Sequence, residues 1–424
     1  MRVLFINDTA RNGGPGRSLH AILRYLDPGR VHRAVLLPRP GEVSDLLSGD
    51  AVADDLLFEP RWVENIFEPW SRAMARADFA AAWPVRWLRA CGNSGRMAAA
   101  VARTALRVRR GGYHLIYCNG TVAGVVGGLV ARSTGVPALW HVRYTSLPPA
   151  VRPLHDWLAS SRAVRRIVCV SAAAAEVVPE CAHKTAVIHN GVDTDAFAPA
   201  RVPGRLRQEL GLPPGAVVFG SHGRVLRRKG YLELVRAACV ARGLMTEEER
   251  RRCYFVVVGD TPQDFRPDHV EECRALAAEL GAAERVLFLG FRADVRPYLA
   301  DWDVAIVPSV YPDPLPRAVI ESMAFGKPVI AYDVGGVREM LAAEEGQEVG
   351  ALLPKAGDLA DLARAILRYL RDPALRARQG EAARRRAVRD FGAAAHAARI
   401  HDQILRAAGR GPATATAERA EAAS

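Results

Sequence analysis

Several things are scarce in this 424-residue chain. Only Lys184, Lys229, Lys327 and Lys355 among its 58 basic residues are lysines; the other 54 are arginines. Composition bias covers most of that excess, but the placement of charge is informative. From Phe79 to His155, 77 residues, there is no Asp or Glu, against ten Arg. The seven Cys (91, 118, 169, 181, 239, 253 and 273) are odd in number, scattered and free of any C-x-x-C. That excludes a disulfide framework or a zinc ribbon and fits reduced thiols in a cytoplasmic protein. Long hydrophobic runs are missing too. The longest uncharged stretch, Gly111–Ala131, contains His114, Asn119 and a series of glycines. It reads as a buried strand followed by a glycine-rich packed helix rather than a membrane span. The N-terminal apolar run is only five residues, too short for a signal-peptide core.

What is present is a chain half apolar and a quarter charged, with a formal charge of +12. That excludes intrinsic disorder, and at about 150 residues per domain it predicts two or three domains with sizeable cores. Short apolar runs alternate with helical stretches: Arg2–Asn7, Val31–Leu37, His114–Cys118, Ala138–His141 and Arg166–Val170. The pattern restarts with Val217–Gly220, Tyr254–Val258, Val286–Leu289, Val304–Val307 and Val329–Ala331. The fold class is α/β, two successive doubly wound, Rossmann-like domains with parallel sheets. We place an N-terminal domain at 1–192 and a C-terminal domain at 193–385. A helix at 386–410 follows, then a disordered tail at 411–424. Residues 43–110 read as mostly helical and irregular.

Three clusters carry chemistry. After the first strand, Gly13-Gly14-Pro15-Gly16 opens a helix, so the backbone can approach a phosphate at the helix N-terminus. It is not G-x-G-x-x-G, and no acidic residue follows the second strand, which disfavours a nicotinamide-dependent dehydrogenase. After the strand Val217–Gly220 comes Gly223-Arg224-Val225-Leu226-Arg227-Arg228-Lys229-Gly230. It sets Arg224 and Lys229 at the carboxyl end of a strand, where a diphosphate suits an arginine fork and a lysine point charge. The third cluster is Asp313-Pro314-Leu315-Pro316-Arg317-Ala318-Val319-Ile320-Glu321, with two carboxylates seven residues apart in the intervening sequence. Pro316 fits the first helical position, and the free N–H groups of Arg317 and Ala318 then face an anion. Carboxylates suit sugar and ribose hydroxyls, which donate to them in pairs.

Together, in this order and on two sheet repeats, these clusters resemble the family 4 glycosyltransferases of GT-B fold. The resemblance also takes in the strand end LWHVR, the linker VIHNGVDTDAF and the segment DPLPRAVIESMAFGKPVIA, which looks like the family's E-x7-E. It implies two Rossmann-like doubly wound domains facing across a cleft. It also implies a retaining transfer of a hexose-type sugar from a nucleoside diphosphate sugar, UDP- rather than GDP-linked, to a saccharide, lipid-linked or other hydroxyl acceptor, as in cell-surface polysaccharide or glycolipid synthesis. By the same resemblance Arg224 and Lys229 neutralise the donor diphosphate and Glu321 holds the ribose. Asp313 contacts the donor sugar, while backbone amides around Leu315 and Arg317 touch sugar and phosphates. Gly13 and Gly14 lie against the diphosphate, His141 stands beside the reacting sugar, and Phe291 backs the base. No D-x-D motif stands where a metal–diphosphate bridge would need one, so no metal or other cofactor is expected, and Arg224 and Lys229 do that electrostatic work. Two departures matter. Asp313 replaces the usual Glu, and Leu315-Pro316 replaces the usual Phe-Gly, removing a backbone N–H donor. They leave open a catalytically silent partner subunit; a nucleotide-sugar epimerase on the same fold is the other alternative.

The acid-free stretch adds a partner. Arg96, Arg103, Arg107 and Arg110 would share one helical stripe, and Trp62, Trp70, Trp83 and Trp87 lie before or within the stretch. A basic, aromatic surface over 61–155 attracts an anionic membrane face or a polyanionic acceptor, which makes the chain peripheral to the inner face of the cell membrane. Nucleic acid is not expected, because no known module with interleaved aromatic and basic residues is present.

Overall fold

The structure is a computed structural model, described for residues 1–11, 13–64, 83–262, 268–344 and 346–410, with side chains of 83–90 excluded. Trp70 lies outside the described residues, as do residues 411–424 and the side chains of Trp83 and Trp87. The chain divides into two compact units, Met1–Gly191 with Ala393 onward, and Val192–Gly392.

Unit 1 holds a seven-stranded, all-parallel sheet. Its strands are β1 (Arg2–Asn7), β2 (His32–Leu37), β3 (Asp55–Phe58), β4 (Leu115–Asn119), β5 (Ala138–Val142), β6 (Val164–Cys169) and β7 (Thr185–Val187). Their order across the sheet is β3-β2-β1-β4-β5-β6-β7. The direction of winding reverses between β1 and β4, which pair in register Val3↔Leu115 to Asn7↔Asn119. The strands are near-continuous apolar runs because helices cover both faces. On one face Leu19, Ile22 and Leu23 of the helix Gly14–Tyr25 pack with Ile400 and Ile404 of the helix Ala393–Ala407 over Phe5, Tyr117 and Leu139. Truncating a fully buried isoleucine such as Ile404 to Ala would cost about 2–5 kcal/mol. On the other face Gly124, Gly127 and Gly128 of the helix Thr121–Thr134 make room for the Trp140 indole and the Cys118 thiol. A Cβ at Gly127 would lie 2.2 Å from Cys118 Sγ. The glycine-rich uncharged stretch is thus a buried strand and a packed helix, and among the described residues no helix is long and apolar enough to cross a membrane.

Unit 2 repeats the plan with six parallel strands, β8 (Val217–His222), β9 (Cys253–Val258), β10 (Val286–Phe288), β11 (Val304–Val307), β12 (Val329–Tyr332) and β13 (Gly350–Leu353). The order is β10-β9-β8-β11-β12-β13, with the reversal between β8 and β11. Its core gathers Phe219, Val235, Phe255, Val257, Ile306, Ile330, Ile366 and Leu370.

Three readings are corrected. The 43–110 segment is not only helical: it contributes the edge strand β3. Trp62 is buried at 4% exposure, so it adds nothing to a surface. The second crossing between units falls at Gly392 rather than near 386, because the helix Pro373–Asp390 runs on through that point and stops at Phe391.

Candidate functional site

In an open α/β sheet, ligands bind outside the carboxyl ends of the strands where the winding reverses. In unit 2 that point is the pair β8–β11, and the loops leaving those two strands hold the charged clusters. They are tied together by backbone as well as side chains. The Val310 amide donates to the Arg228 carbonyl at 3.2 Å. The Arg228 guanidinium sits 5.3 Å from the centre of the Tyr311 ring. Gly230 has φ +74°, and a Cβ there would fall 1.8 Å from the Pro308 carbonyl oxygen, so only glycine lets the loops touch.

That contact brings Lys229 Nζ into an ion pair with Asp313 Oδ2. Both side chains are largely buried, and the Asp313 carbonyl is itself pinned by the Gly336 amide at 3.0 Å. Glu321 lies one helical turn into Arg317–Ala324 and is 3% exposed. Its Oε1 accepts from Arg317 at 3.2 Å, the i, i+4 pair of a helix face, and its Oε2 meets His222 Nε2 at 2.8 Å. Arg224 is exposed on the loop after β8, Leu315 is buried, and Phe291 is 59% exposed on the loop after β10. One local expectation is corrected here. Pro316 is the residue before the helix, not its first: with φ −66° and ψ 116° it is extended, and the helix starts at Arg317. Two D-x-D strings in unit 2 are committed to the fold. Asp193 caps the amides of Asp195 and Ala196, while Asp301 and Asp303 hold Arg207.

Unit 1 presents a different set at its own reversal. Asn7 and Asn119, at the ends of β1 and β4, hydrogen-bond at 2.5 Å, and Asn119 also donates to the Pro15 carbonyl of the glycine turn. Arg143 donates to Asn119 and Asn190, each at 2.6 Å, and to His141 Nδ1 at 3.1 Å. Because arginine only donates, Nδ1 is an acceptor and the proton of His141 is assigned to Nε2. The His141 ring is fully buried, against the Tyr117 hydroxyl. Burial, then Arg143 and His396, hold it well below the usual histidine range, so it is neutral. Its Nε2 has no hydrogen-bond partner among the described residues. In the glycine turn a Cβ on Gly14 would meet nothing within 4 Å, whereas one on Gly16 would press into Val43. Gly16 serves packing and Gly14 leaves open backbone.

Sequence reasoning missed two residues. His222 stands just before the basic loop, but its partner is 99 residues away. Asp8, half-buried after β1, accepts from the Thr121 and Ala123 amides at 2.8 and 2.5 Å, filling the N-terminus of the helix Thr121–Thr134. Burial, opposed by those amides, pushes its carboxyl up to about 6.

Comparison with known proteins places this geometry in a family. A family model described as Glycosyltransferase Family 4 matches residues 12–196, and one described as Glycosyl transferases group 1 matches residues 204–386. A D-inositol 3-phosphate glycosyltransferase of Streptomyces avermitilis is 34% identical over 301 residues, 66% of this chain and 62% of the relative, so the chain spans about three fifths of that protein's length. A D-inositol 3-phosphate glycosyltransferase of Catenulispora acidiphila is 32% identical over 325 residues, 72% and 74% of the two chains. The UDP-Gal:alpha-D-GlcNAc-diphosphoundecaprenol alpha-1,3-galactosyltransferase of Escherichia coli is 25% identical over 279 residues, 62% and 68%. A solved structure of Anabaena HepE with UDP and glucose has a TM-score of 0.76 at 23% identity, covering 95% of this chain and 99% of that one, a likeness of fold. With both halves matched and two Rossmann-like sheets of the GT-B kind, the chain belongs to the family 4 glycosyltransferases.

Proposed function

We propose that the chain is a retaining, metal-independent transferase that moves a hexose-type sugar from a UDP-sugar to a saccharide or lipid-linked hydroxyl acceptor. The observation that carries this reading is the presence of two charged pairs, Lys229 with Asp313 and His222 with Glu321, past the strand ends of the β8–β11 reversal of unit 2. The names of the relatives support it: the Escherichia coli protein is a UDP-galactose-dependent transferase acting on a diphosphoundecaprenol-linked acceptor, and the Anabaena structure holds UDP and glucose.

On this reading Arg224 and Lys229 take the negative charge of the donor diphosphate, which develops further as the sugar–phosphate bond breaks. Lys229 leaves Asp313 for the diphosphate, and the freed carboxylate accepts from hydroxyls of the donor sugar. Glu321 accepts from the ribose, the amides near Leu315 and Arg317 cradle sugar and phosphate, and Phe291 backs the base. The acceptor oxygen attacks the anomeric carbon on the leaving-group face, and a donor phosphate oxygen takes its proton as the nucleoside diphosphate departs. Unit 1 takes the acceptor, and by the family resemblance its Gly13 and Gly14 contact the donor diphosphate and its His141 the reacting sugar. Since the His141 ring is enclosed, its part is to hold the strand end in place rather than to transfer a proton. The chain works at the inner face of the cell membrane, and the exposed Arg96, Arg103 and Arg110 favour an anionic surface there.

The test is nucleoside diphosphate release from UDP-, GDP-, ADP- and dTDP-sugars, with the product's anomeric configuration read by NMR. Turnover of a UDP-sugar with retention, lowered by about 10²–10³-fold in Lys229→Ala, is the expected result. UDP binding with no turnover of any donor would instead favour the silent partner, the reading that Asp313 and Pro316 support.

A further inference from the structure

His222 is the last residue of β8, and its side chain is 8% exposed. Its Nε2 lies 2.8 Å from Glu321 Oε2, and its ring is tilted against Trp302 at 5.6 Å between centres. The other nitrogen, Nδ1, is buried with no hydrogen-bond partner among the described residues. The contact with Glu321 is therefore what fixes the orientation of the ring by hydrogen bonding. Glu321 is gripped from two sides, by Arg317 of its own helix on Oε1 and by His222 of the adjacent strand on Oε2. A carboxylate held at one oxygen can still swing about its last torsion, which is broad and soft. Held at both, its plane is set. Arg317 meets Oε1 with both Nε and Nη2, at 3.2 and 3.1 Å, whereas Oε2, with two acceptor directions, can receive a hydroxyl beside His222.

We infer that His222 is a positioning residue of the nucleotide site: by holding Oε2 it sets the plane of Glu321 so that the carboxylate is aimed at the ribose hydroxyls. This rests on the reading of Glu321 as the ribose ligand. His222 acts through Glu321 and touches neither the diphosphate nor the sugar. Ground-state and transition-state binding are then affected alike, so its loss raises the donor KM and leaves kcat nearly unchanged.

The discriminating measurement is the affinity of UDP against 2′-deoxy-UDP, by titration calorimetry, on wild type, His222→Ala, His222→Gln and Glu321→Ala. Thermal unfolding of each variant confirms that it is folded. The wild type is expected to prefer UDP by about tenfold or more, the worth of a hydroxyl bonded to a charged acceptor. Glu321→Ala should erase that preference, and His222→Ala should reduce it to about threefold or less. His222→Gln, whose amide nitrogen can donate in place of Nε2, should restore most of it. Adding His222→Ala to Glu321→Ala should change nothing further, because the two act as one unit. If His222→Ala is folded and keeps the full preference, or if Gln does no better than Ala, the inference is overturned while Glu321 stands. If Glu321→Ala itself keeps the preference, or no UDP binds the wild type, the reading of the site falls and the inference with it.

Discussion

The two sheets reverse their winding at equivalent places and put opposite chemistry there. At β8–β11 of unit 2 the loops carry charges paired across the reversal: Lys229 with Asp313, and Glu321 between His222 and Arg317. At β1–β4 of unit 1 the same position holds neutral amides, Asn7, Asn119 and Asn190, around Arg143, and the nearby helix N-terminus is filled by Asp8. A phosphate needs open N–H groups or a cation that can change partner. Unit 2 offers the second; unit 1 has filled the N-terminus of the helix Thr121–Thr134 with a carboxylate of its own and leaves open backbone only at the Gly14 turn. The topology is shared; what separates the roles is whether the charges at the reversal can be handed to a ligand.

The largest expected effect sharpens that contrast from the donor side. Lys229→Ala should lower kcat by about 10²–10³-fold, the usual loss when one electrostatic stabiliser of a developing oxyanion is removed. Steady-state kinetics with the preferred donor would measure it. The second concerns the loop contact that brings the charges together. Gly230→Ala adds a Cβ facing the Pro308 carbonyl at a positive φ, and should destabilise unit 2 by about 2–3 kcal/mol in denaturant unfolding. An unchanged midpoint would mean that the loops do not need each other.

The third tests unit 1. Burial raises the Asp8 carboxyl from 3.8 to about 6. A carboxyl that holds its proton more tightly when folded stabilises most when protonated. Its contribution falls as pH rises from about 4 to about 6 and is level above. The stability of the wild type relative to Asp8→Asn should therefore drop by on the order of 2 kcal/mol over that window. Urea unfolding at pH 4, 5, 6 and 7 would show it, and a flat difference would mean that the Asp8 cap does not hold its proton more tightly when folded. The smallest effect concerns the outer face of unit 1. Trp157 is 51% exposed with Arg132 stacked 4.4 Å over its ring, and Leu154 is exposed on the same helix. Trp157→Ala should weaken sedimentation with anionic vesicles at low salt several-fold. No change would remove this face from the membrane proposal.

Much of this was legible in the sequence, for a physical reason. The buried parallel strands are continuous apolar runs, and the charged clusters follow them directly, so Arg224, Lys229, Asp313 and Glu321 announce themselves locally. The edge strands β3 and β13 were not legible: each has four residues and is half-buried, which blurs the apolar run. Pro316 was displaced by one position because proline suits both the first helical residue and the extended one before it. His222 and Asp8 were missed because their meaning lies in partners 99 and more than 110 residues away. Trp62 read as a surface aromatic since nothing local shows that it turns inward. The enclosed His141 shows the opposite failure: its strand-end position was clear, while the Tyr117 and Arg143 that wrap it were not.

The most direct test of the central claim, that unit 2 binds the donor nucleotide through Glu321 without a metal, is thermal unfolding with UDP, GDP, ADP and dTDP, each with EDTA or magnesium, on wild type and Glu321→Ala. A ligand at 100 times its Kd stabilises by about 2.7 kcal/mol, a readily visible shift. UDP should raise the wild-type Tm equally with EDTA and magnesium, and a tenfold weaker site in Glu321→Ala should cut the stabilisation to about half. A shift that requires magnesium, that is undiminished in Glu321→Ala, or that no nucleotide produces would contradict this.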